Sequence, residues 1–271
     1  MLENSSNSKA AERPLHRLKH RLLRNKRREK RIYNWRMLLL LPAWVTVAFV
    51  ASNLLIAGLL IALNWLHMPA DTFLRPAILQ TVVSTLVYIL TISIAIGAPY
   101  ALKRRYETTL EDLGLTRLVS WADIGLAPLT FLVYTIVVSL VLAAVVSLFA
   151  GFPADQAQDT GFRAFGSRSD NMLAFLTLVV LAPLAEETLF RGYLYGKLKR
   201  YVPTIIAALM TSLLFAVAHF QLNVGVDVFV LSMFLCGLRS LTGSIWAGVL
   251  VHMIKNGIAY YLLFISPLMG G

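Results

Sequence analysis

The sequence predicts an all-α, polytopic membrane protein, and three observations support that prediction. Of its 271 residues, 58% are hydrophobic and 14% are charged, whereas soluble domains have about 45–50% apolar and about 25% charged residues. A helix that crosses a bilayer needs about 20 mostly apolar residues. Strands with unpaired edges cannot face lipid, and no alternating strand pattern separates the apolar stretches. We therefore expect a bundle of about seven membrane helices, at residues 37–66, 77–100, 124–150, 172–196, 203–220, 224–238 and 243–265.

The chain begins with a basic arm at residues 1–36. The arm holds twelve Lys or Arg residues and three acidic residues, so it carries nine of the eleven net positive charges of the chain. Basic segments beside a membrane helix stay in the cytoplasm and attract anionic lipid headgroups. We expect the arm to contact such headgroups, and we expect no nucleic-acid partner. The single cysteine, Cys236, excludes an internal disulfide.

The basic clusters at residues 103–105 and 197–200 fall on the same side of the predicted bundle as the arm. Because basic loops stay in the cytoplasm and the loops between them lie on the other side, this charge pattern places the N-terminus in the cytoplasm and the C-terminus outside, with seven crossings between them. The compact chain with short loops is typical of a bacterial plasma-membrane protein. We divide the chain into the basic arm, N-terminal membrane helices with an interfacial segment at 37–120, and a site-bearing membrane domain at 121–271.

Ionisable residues are distributed unevenly over the predicted helices. The interiors of the first three carry only uncharged polar contacts, and we expect those helices to act as support. A charge at the bilayer centre costs about 2.5–3.5 kcal/mol on insertion scales, so a cluster of such groups indicates function. The last four helices hold that cluster, together with the uncharged Asn256: Glu186, Glu187, Arg191, His219, Asp227, Arg239, His252 and Lys255.

Helical spacing separates the two adjacent glutamates. Glu187 and Arg191 are four residues apart and share a helix face, which favours an ion pair. Glu186 lies five residues from Arg191, about 140° around an α-helix, and is left free. We expect Glu187 to brace the helix and Glu186 to act as a general base.

Two histidines lie on helices other than that of Glu186. Glu186 and His219 could hold and deprotonate a water molecule, while His252 and Asn256 donate hydrogen bonds to a developing oxyanion. Alternatively, Glu186, His219 and His252 could bind a divalent metal such as zinc as a site of two histidines and one carboxylate. The residues alone leave both arrangements open.

Three motifs in order resemble those of a known protease family. Residues 186–191 match EExxxR, residues 215–219 match FxxxH, and residues 252–256 match HxxxN. Over roughly residues 120–265 the chain resembles the CPBP family of intramembrane proteases. That family contains CAAX proteases and bacteriocin-processing enzymes, and it is also called the Abi or lysostaphin-resistance-protein-A-like family.

This resemblance implies an endopeptidase that cleaves a membrane-associated protein or peptide. It implies glutamate-activated water as the nucleophile, with a metalloprotease mechanism as the alternative. The implied roles are water activation by Glu186 and His219, oxyanion stabilisation by His252 and Asn256, and orientation of the site by Glu187 and Arg191.

Two other functions fit the same residues. A non-catalytic scaffold or bacteriocin-immunity protein could share the fold. A proton-coupled transporter could use the buried carboxylate and histidines as a relay, although the sequence shows no inverted repeat of the kind many transporters have.

Overall fold

The computed structural model is α-helical wherever it describes the chain, and this confirms the predicted fold class. Its described residues contain no β-strand. Most of the basic arm and the basic cluster at 103–105 lie outside the description. The structure describes residues 33–102, 107–156, 158, 160–162 and 167–266.

The described residues of the N-terminal half form three long helices and two short ones. The long helices form because their sequences are apolar over 27 residues or more. The last of them begins where Ser120 and Asp123 cap each other's backbone N–H groups in a capping box. In chain order the helices are α1 Met37–Trp65, α2 Ala70–Phe73, α3 Pro76–Leu102, α4 Leu110–Leu113 and α5 Trp121–Leu148.

Where the structure describes it, the C-terminal half contains four helices. The first is interrupted by two π-helical segments, Leu176–Leu181 and Glu187–Leu194, and the second of these begins at the glutamate pair. Such segments are rare in helices and often occur at functional sites. The four helices are α6 Arg168–Tyr201, α7 Thr204–Val217, α8 Leu222–Thr242 and α9 Trp246–Ile265.

Six of the described helices, α1, α3, α5, α6, α8 and α9, are long and apolar enough to cross a membrane, so the chain is an integral membrane protein. The predicted span at 203–220 is wrong in length, since α7 has only 14 residues. Apolar residues continue beyond Val217, but the backbone turns there, and Phe220 adopts a left-handed φ of 54°. His219 therefore lies in a turn between α7 and α8.

Two apolar clusters hold the helices around α8. One joins α6, α7 and α8 to α1, and the other joins α5, α8 and α9. The segment before α5 packs against α6 at Gly196, where a Cβ would lie 2.6 Å from the carbonyl oxygen of Asp112. A side chain at this position would separate the two segments, so glycine allows their close approach.

Candidate active site

A cavity of about 540 Å³ lies among α1, α3, α6, α9 and the turn after α7. The structure brings four of the predicted site residues to its wall: Glu186, His219, His252 and Asn256. Most of the remaining lining is apolar, including Val45 and Phe49 of α1. The four side chains therefore share one apolar cavity although they come from three separate segments.

The other two predicted residues, Glu187 and Arg191, lie behind this wall and are fully buried. The expected ion pair is present, with Arg191 Nη1 donating to Glu187 Oε1 at 2.8 Å. The same oxygen lies 3.0 Å from His252 Nδ1. Because a carboxylate only accepts hydrogen bonds, Nδ1 carries the proton and the ring is oriented with Nε2 towards the cavity. Glu187 thus links Arg191 to His252.

Glu186 points away from Arg191, as its spacing predicts. Its Oε1 accepts a hydrogen bond from the Tyr88 hydroxyl at 2.9 Å. Its Oε2 lies 3.7 Å from His252 Nε2, which is beyond direct hydrogen-bond range. A water molecule on the cavity side of these two atoms would contact both.

Phe215 of the FxxxH motif contacts three of the site residues. Its ring is buried and meets the rings of His219 and His252 edge-on, at centroid distances of 4.9 and 5.9 Å. The Arg191 guanidinium lies over the same ring, 4.4 Å from its centroid. This phenylalanine therefore fixes the spacing of the two histidines as well as filling the core.

A backbone hydrogen bond sets the tautomer of His219. Its Nδ1 lies 2.8 Å from the carbonyl oxygen of Phe215, so Nδ1 carries the proton and Nε2 offers a lone pair. Burial lowers the pKa of the His219 imidazole, and the nearby Glu186 carboxylate opposes that shift. A neutral ring with a free Nε2 can accept a hydrogen bond from water.

The two polar residues that follow His252 on α9 have different partners. Asn256 Nδ2 donates to the carbonyl oxygen of Leu178 at 2.9 Å, and its second amide hydrogen can serve a bound group. Lys255 lines the cavity and pairs with Asp227 at 3.2 Å. Asp227 also accepts a hydrogen bond from Tyr134. The Lys255 ammonium thus has an ion-pair partner on α8, the Asp227 carboxylate.

Gly248 provides the space for the Glu187 carboxylate. A Cβ at this position would lie 3.1 Å from Glu187 Oε2. Gly248 precedes His252 by one helical turn, so the same face of α9 both admits the carboxylate and presents the imidazole to it. A larger residue would force α9 and Glu187 apart.

The alternative metal centre would use Nε2 of both histidines together with Glu186, because each Nδ1 atom is bonded to Phe215 or to Glu187. Histidines that bind a metal commonly donate their other ring N–H in this way. Within the part of the chain that the structure describes, no three His, Cys, Asp or Glu side chains are grouped as metal ligands.

Sequence reasoning missed Tyr88. The expectation that the first three helices only support the site is wrong, because α3 supplies this hydroxyl and α1 supplies part of the cavity wall. A tyrosine in an apolar helix resembles an ordinary packing residue, and the contact depends on how α3 lies against α6. No spacing in the sequence reveals that contact.

Comparisons with known proteins agree with the motifs. Residues 168–258 match the family model described as type II CAAX prenyl endopeptidase Rce1-like. An uncharacterised 24.3 kDa protein of Escherichia coli is 40% identical over 89 residues, which are 31% of this chain and 41% of that protein. The membrane-embedded CAAX protease MroQ of Staphylococcus aureus (strain USA300) is 26% identical over 161 residues, 55% of this chain and 60% of that protein.

The chain thus spans less than two thirds of the length of each of these relatives. No solved structure matches it. The matched segment contains all three motifs, and it ends before the last turns of α9.

Proposed function

We propose that this chain, whose residues 168–258 belong to the CPBP family of intramembrane proteases, is an endopeptidase that hydrolyses a peptide bond in a membrane-associated protein or peptide. The observation that supports this proposal best is the convergence of Glu186, His219, His252 and Asn256 on one apolar cavity. A carboxylate, two imidazoles and an amide in one cavity supply both the base and the hydrogen-bond donors that amide hydrolysis requires.

In the first step Glu186 accepts a proton from a water molecule held between its Oε2 and the imidazoles. The lone pair of His219 Nε2 accepts a hydrogen bond from the second O–H of that water and so orients the water molecule. The oxygen of the water then attacks the scissile carbonyl carbon, and the carbonyl π electrons move to its oxygen. Exclusion of bulk water by the apolar wall strengthens these interactions.

His252 and Asn256 hold the oxyanion that this attack creates. In the proposal the His252 ring carries a proton on both nitrogens during the reaction, so that Nδ1 still donates to Glu187 while Nε2 donates to the oxyanion. Asn256 donates to the same oxyanion from its second amide hydrogen. Collapse of the tetrahedral intermediate breaks the C–N bond, and the proton on Glu186 passes to the leaving nitrogen. The products are a carboxylic acid and an amine, and Glu186 is again a carboxylate.

Glu187 and Arg191 orient the site without touching substrate. Their ion pair fixes the Glu187 oxygen that accepts from His252 Nδ1, and this holds the imidazole at the angle needed for its other nitrogen to face the cavity. Fixed orientation of a catalytic group is worth a large part of an enzymatic rate enhancement.

The proposed setting is the bacterial plasma membrane, with the N-terminus in the cytoplasm. Residues 1–36 would lie against anionic lipid headgroups there, because polybasic segments gain about 1 kcal/mol per Lys or Arg near such a surface. Binding of the full chain to liposomes with and without anionic lipid tests this placement. Affinity that ignores lipid charge would contradict it.

The activity is tested with purified protein in liposomes and a library of membrane-associated peptides. We expect cleavage products with the wild type and cleavage at least about a hundredfold slower with Glu186→Gln or His219→Ala. The matched control is Glu107→Gln, the same change at an exposed glutamate outside the cavity, and it should cleave like the wild type. A wild type that cleaves no peptide, or a Glu186→Gln variant that cleaves within about tenfold of the wild-type rate, would overturn the proposal.

A chelator in the same assay tests the mechanism. Glutamate-activated water predicts that activity persists when divalent metals are removed. Loss of activity that zinc restores would instead assign the site to a metalloprotease, with Glu186, His219 and His252 as ligands after rearrangement.

A further inference from the structure

Tyr88 is a polar side chain at the cavity that the catalytic steps above do not use. It lies on α3, outside the segment that matches the protease family. Its hydroxyl donates to Glu186 Oε1 at 2.9 Å, and its side chain lines the same cavity. It therefore touches the proposed base from the opposite half of the chain.

This contact determines which carboxylate oxygen of Glu186 is available. The glutamate side chain ends in a terminal torsion with a broad energy profile, so without a partner both oxygens would exchange places. With Oε1 held by the hydroxyl, Oε2 faces His252 Nε2 across the 3.7 Å gap. The proposed mechanism places the attacking water on the cavity side of these two atoms, where it can contact both.

The remaining members of the site are fixed by other contacts. Arg191 and Glu187 hold His252, and the carbonyl oxygen of Phe215 holds His219. Within the described part of the C-terminal half, the Glu186 carboxylate makes no hydrogen bond, since His252 Nε2 lies 3.7 Å from its Oε2. Its orientation depends on α3.

We propose that Tyr88 is a positioning residue that holds the Glu186 carboxylate with Oε2 towards the attacking water. This inference rests on the proposed function. It assigns α3 a part in the reaction, and it means that the segment carrying the three motifs forms a complete site only when α3 is packed against it.

The alternative is that Tyr88 only tethers α3 to α6. A second tether argues that the packing survives without the hydroxyl, because Thr177 of α6 donates to Thr81 of α3 at 3.1 Å. Removing the Tyr88 hydroxyl should therefore leave the helices in place and release only the carboxylate.

The test compares Tyr88→Phe with Tyr260→Phe on a peptide that the wild type cleaves. Tyr260 is buried and donates a hydrogen bond of the same 2.9 Å length to the carbonyl oxygen of Asn171, away from the cavity. We expect Tyr88→Phe to lower kcat about ten- to a hundredfold with little change in KM. Tyr260→Phe should keep the kcat and KM of the wild type, and detergent titrations should show both variants folded.

Three outcomes would overturn the inference. If the wild type cleaves peptide and Tyr88→Phe keeps its kcat, Tyr88 does not position the base while the proposed function stands. If both variants lose kcat in parallel with their stability, the hydroxyl has only a structural role. If the wild type cleaves no peptide, the proposed function fails and this role fails with it.

Discussion

Removing Arg191 should destabilise the protein more than removing it together with the charge of Glu187. In the single variant Arg191→Met, the Glu187 carboxylate stays fully buried and loses its cation, which lies 2.8 Å away in the wild type. It keeps only the hydrogen bond to His252. In the double variant Arg191→Met with Glu187→Gln, neither position carries a charge.

The magnitude follows from burial, because neither side chain of the pair is exposed to solvent. Breaking a buried pair by removing one partner costs about 3–5 kcal/mol, whereas replacing both charges by neutral groups of similar size is often close to neutral. We expect the single variant to lose about 3–5 kcal/mol of unfolding free energy. The double variant should lose about 1–2 kcal/mol, since the Gln oxygen can still accept from His252 and one neutral hydrogen bond is worth about 1 kcal/mol.

Reversible unfolding in mixed micelles, with increasing SDS in a mild detergent, measures both values. The ion pair is central to the fold only if the single variant is clearly less stable than the double. Equal losses in the two variants, or a loss below about 1 kcal/mol in Arg191→Met, would show that Glu187 is solvated and that the reasoning from burial is wrong.

Two further substitutions test contacts behind the cavity. Gly248→Ala would place a Cβ 3.1 Å from Glu187 Oε2, and we expect peptide cleavage to fall about ten- to a hundredfold because the His252 imidazole would lose its alignment. The control is Gly237→Ala, which has open space at its Cβ. Equal cleavage rates in the two variants would refute the argument. Asp227→Asn removes the carboxylate partner of Lys255, whose side chain is 12% exposed. We expect the unfolding free energy to fall by about 1–3 kcal/mol, measured by the same SDS titration. Unchanged stability would mean that water already solvates the Lys255 ammonium.

The sequence predicts those parts of the site that depend on local geometry. The Glu187–Arg191 pair follows from a four-residue spacing on one helix, and the structure contains it at 2.8 Å. The same spacing leaves Glu186 unpaired with Arg191, which the structure also shows. Hydrophobic length likewise predicts most of the helices within a few residues.

Contacts between helices are not predicted by these rules. The bond from His252 to Glu187 and the bond from Tyr88 to Glu186 join residues on different helices, and their partners depend on packing. The length of α7 was overestimated for a similar reason, because apolar composition extends through Phe220 whereas the backbone turns after Val217. Composition shows which segments are apolar enough to enter a membrane, but it does not show where the backbone turns between helices.

The central claim is that Glu186 activates the water that cleaves the peptide, and a single-turnover rate measures this most directly. Wild type and Glu186→Gln in excess over one cleavable peptide should differ about 10²–10⁴-fold, the range for loss of a general base, with unchanged peptide binding. A Glu186→Gln variant that cleaves within tenfold of the wild-type rate would contradict the account, since the amide cannot accept the proton.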